Sequence, residues 1–352
     1  MEYNQLIQFF LDVGYKKRAF FVNVMLMKKK VSALLFFVPV LFLTAQEYRY
    51  TDFSLKSLQA YPYRTSPITI QTLAFKNELQ YAYNVTFRSM GLTVSARLSI
   101  PAANPESIKG IAIMLRGHQN PGGYYTGKGT ENPAKGYLQR GWAIIAPDFF
   151  GYGSSSPTPS PRELHQFYCT VNAVELYKSL DKPDFIFASA VSQSNRTALP
   201  SSFKKIVLWG HSNGGQAALH FLEIIQKPVP TVLWAPVSLP FPDAWAYYGR
   251  NNNWAERFKK EQPAVDFSLI AYLDRIAPGT RILLEQGDKD TAVPKAWNDA
   301  LVRAIELENS RREQAGRGKI ELRYEVYKNA NHNLNPYWST VLPRDAAFWD
   351  QS

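Results

Sequence analysis

Apolar residues fall into short runs, separated by polar stretches in which apolar positions return at helical spacing. From Tyr83 the pattern alternates. Val85 and Phe87, then Leu92, Val94, Ala96, Leu98 and Ile100, predict two strands joined at Ser89-Met90-Gly91, a hairpin at a sheet edge. Ile111 to Leu115 and Trp142 to Ala146 are continuous apolar runs, as expected of strands covered on both faces. Ile206 to Trp209, Thr231 to Ala235 and Arg281 to Glu285 add further strands. Helical spacing appears over Pro133 to Arg140, and over Glu163 to Leu180 with Leu164, Phe167, Val171 and Val174. It returns after residue 215 with Ala218, Phe221, Leu222 and Ile225. Pro294 reads as the first residue of another helix, with Trp297, Leu301, Ala304 and Ile305 facing in. Ile320, Leu322, Tyr324 and Val326 alternate with charged residues, which predicts a strand nearer the sheet edge. Strands alternating with helices define an α/β class, with a mostly parallel central sheet and helices on both faces.

Outside this rhythm lie four segments. Residues 1–45 combine an upstream extension with a signal-peptide pattern: Met27-Lys28-Lys29-Lys30, then an apolar run from Val31 to Leu43, with cleavage expected after Ala45. Met25 or Met27 is the expected start. The apolar run is short for a membrane span and contains Pro39, so no stable membrane insertion is expected after cleavage. Residues 46–82 show no clear period and read as an N-terminal extension packed across the domain, which itself covers 83–350. Two insertions interrupt the domain, at 181–203 and 237–279. The second is dense in aromatic residues, among them Phe241, Trp245, Tyr248, Trp254, Phe258 and Phe267, and reads as a small cap. Its rings either form an apolar acyl or aryl pocket over a site or are the cap's own core.

Composition narrows the function. Of 352 residues, 45% are hydrophobic and 20% charged, enough for a large core and no mark of disorder. The net charge of +11 is dispersed, with no Lys/Arg block longer than two after residue 30, so no nucleic-acid partner is expected. Cys169 is the single cysteine, which forbids an intrachain disulfide. Export without disulfides suits a periplasmic or secreted bacterial protein. The histidines are scattered and no glycine-rich phosphate loop appears, so neither a metal nor another cofactor is expected.

The chemistry centres on Gly210-His211-Ser212-Asn213-Gly214, between a buried strand and a helix. In that setting G-x-S-x-G marks a nucleophile elbow. Small residues flank the serine because the turn is strained and crowded. Ser212 is then a candidate nucleophile, and the Asn213 amide at the helix start is placed to donate to an oxyanion. A serine hydroxyl needs a base beside it, and the base needs an acid to fix its tautomer. His332, in Asn329-Ala330-Asn331-His332-Asn333 after the last strand, is the candidate base. His211 is expected to point away from the apex, and His220 and His165 lie in helices. Asp288 and Asp290 both follow the strand at 281–285. Asp290 stands nearer the helix start and is preferred, while Asp288 after Gly287 also reads as a turn residue. The second oxyanion amide is expected at His118, after Gly117. Asp148 is read as ordering the loop beneath the elbow.

Arg116-Gly117-His118, PDFFGYGS, GHSNGG, GDKDTAVP and NANH together resemble the α/β-hydrolase superfamily over residues 83–350. The S-N-G-G elbow and the D-x-A-V-P loop are similar to prolyl-oligopeptidase-like (S9), dienelactone-hydrolase-like and acetyl-esterase catalytic domains. The resemblance implies an α/β-hydrolase fold, with Ser212 as nucleophile, Asp290 as acid, His332 as base and the His118 and Asn213 amides as oxyanion donors. Two departures stand out. Arg116 replaces the first residue of the usual His-Gly pair, and the stretch 46–82 is too short for the propeller domain of S9 oligopeptidases. The expected activity is an exported serine hydrolase acting on a carboxylic ester. Alternatives are an S9-like peptidase or amidase acting on short peptides, and an inert binding protein of the same fold.

Overall fold

The computed structural model describes residues 48–103, 107–183, 185–189, 203–249 and 252–351. The expected signal region at 1–45 and most of the insertion at 181–203 lie outside the described residues. Ten described strands form one sheet. In chain order they are β1 (Ile68–Lys76), β2 (Gln80–Ser89), β3 (Leu92–Pro101), β4 (Gly110–Leu115), β5 (Trp142–Pro147), β6 (Phe187–Ser189), β7 (Ile206–His211), β8 (Thr231–Trp234), β9 (Arg281–Gly287) and β10 (Glu321–Tyr327). Their order across the sheet is β10-β9-β8-β7-β4-β5-β3-β2-β1-β6. From β10 to β5 all neighbours are parallel, whereas β3 joins β5 antiparallel and β2 and β1 continue antiparallel.

The continuous apolar runs are explained by helices on both faces. Ile111, Ile113 and Leu115 of β4 point into one core, with Val171 and Leu176 from helix α3 (His165–Leu180) and Leu219 and Leu222 from α4 (Asn213–Ile225). Ala112 and Met114 point the other way, against Tyr137 of α2 (Glu131–Leu138) and Val341 and Trp349 of α8 (Trp338–Asp350). A strand covered twice has no polar face, so its period-two signal disappears. Short α1 (Leu55–Gln59) precedes β1 and buries Leu55 and Leu58.

Three expectations need correction. The β2–β3 hairpin turns at Met90-Gly91, where both φ angles are positive (53° and 74°), as expected for a tight hairpin turn. It is not at the sheet edge, because β1 and β6 lie outside it. The segment 46–82 is therefore not only a packed extension, since it supplies β1, with Ile68 and Ile70 buried. Pro294 stands one residue before its helix, α7 (Lys295–Gln314), with φ −53° and ψ 129°. Strand β10 does occupy the edge, and its Val326 is exposed. Among the described residues, no helix is long and apolar enough to cross a membrane.

The 237–279 insertion forms α5 (Asp243–Gly249) and α6 (Asn252–Glu261), followed by 3₁₀ turns over Ala264–Phe267 and Leu269–Arg275. Phe241, Trp254, Phe258 and Phe267 pack on one another and on Phe167 of α3, with ring centroids 5.1 to 5.8 Å apart. These rings are the insertion's own core.

Candidate active site

Strand β7 ends at His211, and the chain turns sharply at Ser212, with φ 56° and ψ −121°, before α4 begins at Asn213. A positive φ is unfavourable for serine and persists only where the surroundings enforce it. Here they do. The Ser212 amide donates to Trp234 O (3.0 Å), and its carbonyl accepts from the amides of Gly215, Gln216 and Val237 at 2.9, 3.2 and 3.0 Å. The flanking glycines are required by space. A Cβ on Gly210 would stand 2.7 Å from Gly214 O, and one on Gly214 would stand 1.9 Å from Leu115 O.

Asp290 and His332 come from the loops after β9 and β10. His332 Nδ1 donates to Asp290 Oδ2 at 2.7 Å. Asp290 Oδ1 accepts from the Ala292 and Val293 amides at 2.8 and 2.9 Å, and Gln286 Nε2 reaches Oδ2 at 3.2 Å. Burial raises the Asp290 pKa. The His332 hydrogen bond and charge and the two amides outweigh it, so the carboxyl sits below its ordinary value. A proton held on Nδ1 leaves His332 Nε2 free to accept one. Asp288 is placed differently: its Oδ1 accepts from the Asn329 amide and braces the His332 loop.

His211 does not point away from the site. Its ring lies 4.6 Å from that of His332, and its Nε2 meets His332 O at 3.1 Å. Burial, then the neighbouring His332, pull the His211 pKa down to about 3, so the ring is neutral and Nε2 donates to that carbonyl. Sequence reasoning missed this support, because a histidine beside an elbow serine carries no signal of its orientation.

The loop after β4 closes on the serine from the other side. A Cβ on Gly117 would lie 2.9 Å from Ser212 Cβ, so only glycine permits this approach. Arg116 is buried and has no carboxylate ion-pair partner among the described residues. Its guanidinium donates to Gly117 O (2.9 Å), Asp148 O (2.6 Å) and Tyr124 Oη (3.2 Å), and lies 4.0 Å over the Tyr152 ring. Gly117 O and the His118 N–H share one planar peptide, so pinning the carbonyl turns the N–H to the opposite side. Among the described residues the His118 N–H has no acceptor, and the Asn213 N–H, at the first turn of α4, has none within its helix. Asp148 is fully buried and ties this loop together. It accepts from Ser95 Oγ (2.6 Å), Tyr124 Oη (2.7 Å) and the Gly127 amide (3.0 Å).

Ser212, His332, His118 and Asn213 line one cleft of about 1590 Å³. Trp209, Trp234 and Trp338 add aromatic wall, and from the 237–279 insertion Trp245 and Tyr248 reach it. The insertion's aromatics thus divide: Phe241, Trp254, Phe258 and Phe267 are its core, and Trp245 and Tyr248 face the cleft.

A sequence-family model described as the alpha/beta hydrolase fold matches residues 120–233. A search of curated protein sequences finds no match. Among solved structures, the chain is similar to acetyl xylan esterase 1 from Thermoanaerobacterium sp. JW/SL YS485, with a TM-score of 0.57 and 13% identity, covering 85% of this chain and 93% of that one. It is also similar to Est1E from Butyrivibrio proteoclasticus, a structure with ferulic acid bound, with a TM-score of 0.53 and 16% identity over 75% and 96% of the two chains. Dipeptidyl peptidase 4 from Porphyromonas gingivalis matches with a TM-score of 0.54 and 14% identity, covering 78% of this chain but 36% of that one. At these identities the likeness defines the fold alone, and the chain has the α/β-hydrolase fold.

Proposed function

We propose that the protein is an exported serine hydrolase that cleaves a carboxylic ester through an acyl-enzyme on Ser212. The observation that carries this reading is His332, hydrogen-bonded to Asp290 and lining the same cleft as a serine held at a strained elbow. His332 Nε2 takes the Ser212 proton as Oγ attacks the ester carbonyl. The oxyanion that forms accepts from the His118 and Asn213 amides. As the tetrahedral intermediate collapses, the C–O bond breaks and His332 returns the proton to the leaving alcohol. Water, deprotonated by His332, then attacks the acyl-enzyme, and the acid leaves with Ser212 reprotonated. Export rests on the basic Met27–Lys30 segment and the apolar run behind it.

Amide hydrolysis by the same groups is the second reading. It is favoured by the likeness to a dipeptidyl peptidase, of which the chain spans about a third. Initial rates on a panel of acyl esters and aminoacyl amides separate the two. Turnover of esters is expected, and turnover of amides alone contradicts the esterase reading.

A further inference from the structure

The cleft wall one turn along α4 from Ser212 is polar. Gln216 is fully buried (0% exposed) and lines the cleft, yet neither its Nε2 nor its Oε1 has a hydrogen-bond partner among the described residues. Residues four apart share a helix face, and helical side chains lean toward the N-terminus, which here means toward Ser212. From α3, Gln166 brings a second buried Nε2 without a partner to the same cleft. His165 and Cys169 also line it from α3. Burial pulls the His165 imidazole down to about 4 and pushes the Cys169 thiol up to about 12, so both are uncharged at neutral pH.

Buried polar atoms are nearly always hydrogen-bonded, because desolvation is otherwise uncompensated. A carboxamide free at both ends calls for a ligand group that donates to Oε1 and accepts from Nε2. A carboxylate would set an acceptor against Oε1, and an ammonium would set a donor against Nε2. A hydrocarbon would satisfy neither. We propose that Gln216, with Gln166, forms a subsite for a neutral part of the substrate bearing a hydroxyl or carboxamide, which both donates and accepts hydrogen bonds. The subsite rests on the ester-hydrolase reading.

The test uses matched esters with wild type and Gln216→Leu, which removes both hydrogen-bonding ends at similar volume. On the acyl side, p-nitrophenyl butyrate is compared with the 3-hydroxybutyrate and the succinamate. On the alcohol side, propyl acetate is compared with glyceryl monoacetate. Wild type is expected to prefer the polar partner by at least about tenfold in kcat/KM on one side. Gln216→Leu is expected to collapse that ratio toward one, with a Tm equal to or above wild type. Gln166→Leu, on the other helix, moves the ratio in the same direction and serves should the first variant fail to fold. No preference on either side, or a preference that both variants retain, overturns the subsite. Fluorophosphonate labelling of wild type separates the two failures. Labelling without a polar preference defeats the subsite alone. No labelling and no ester turnover defeat the ester-hydrolase reading and the subsite with it.

Discussion

Asp290 Oδ2 lies 2.7 Å from His332 Nδ1, across 42 residues of sequence, while Asp290 Oδ1 is held by two backbone amides. The amides set the carboxylate, and the carboxylate sets the imidazole tautomer. Asp290→Asn would present a donor to Nδ1 and favour the proton on Nε2, the wrong nitrogen for a base. Its kcat is expected to fall by about 10²- to 10⁴-fold with little change in KM. Asp288→Asn, which alters a loop brace, is expected to keep turnover near wild type. Steady-state kinetics on one ester checks both, and equal losses in the two variants would remove Asp290 from its role.

Gly117 and Ser212 are so close that a methyl group at 117 would meet Ser212 Cβ at 2.9 Å. Gly117→Ala must push the Arg116–His118 loop away from the serine. The His118 amide then leaves its place, and kcat is expected to fall by roughly 10²-fold, the cost of one oxyanion donor. Overpacking destabilises by about 1–3 kcal/mol, so the variant is expected to remain folded. Thermal melting beside kinetics checks this, and full activity in a folded Gly117→Ala would place the oxyanion donors elsewhere.

How much of this was legible in the sequence depends on local pattern. The strands β4, β5 and β7 announce themselves as apolar runs because both of their faces are buried. Strand β1 was hidden, since register irregularities between Ile70 and Thr72 and between Leu73 and Phe75 break its alternation. Strand β6 has three residues, too few for any period. Ser212, Asp290 and His332 stand out as candidates because each lies shortly after a strand that reads clearly. The side-chain directions of His211 and Gln216 could not, because each lies in an element whose pattern accounts for burial without saying against what. The division of the insertion's aromatics was likewise a question of facing, which composition does not answer.

Away from the cleft, Glu285 and Asp345 form a buried pair. Asp345 Oδ2 accepts from Tyr137 Oη (2.6 Å) and Trp234 Nε1 (2.9 Å), and Glu285 Oε1 accepts from Tyr327 Oη (2.8 Å). Burial, and then the neighbouring Asp345 charge, raise the Glu285 pKa well above the carboxylate range, so the pair keeps a proton at neutral pH. An unfolded glutamate releases its proton near about pH 4. Above that pH the folded state binds more protons than the unfolded one, so stability falls as pH rises from there. Glu285→Gln mimics the protonated acid at every pH. It is expected to flatten the fall in Tm above pH 4 and to raise Tm under alkaline conditions. Melting curves across pH check this, and an unchanged slope in the variant would assign the pH dependence to other groups.

The central claim is that Ser212 is the nucleophile. Wild type and Ser212→Ala are incubated with a fluorophosphonate, and the modified peptide is identified by mass. Wild type is expected to gain one adduct, on Ser212, and to lose ester turnover in step with labelling. Ser212→Ala is expected to stay folded and unlabelled. An adduct on another residue, or labelling that persists in a folded Ser212→Ala, would contradict the account.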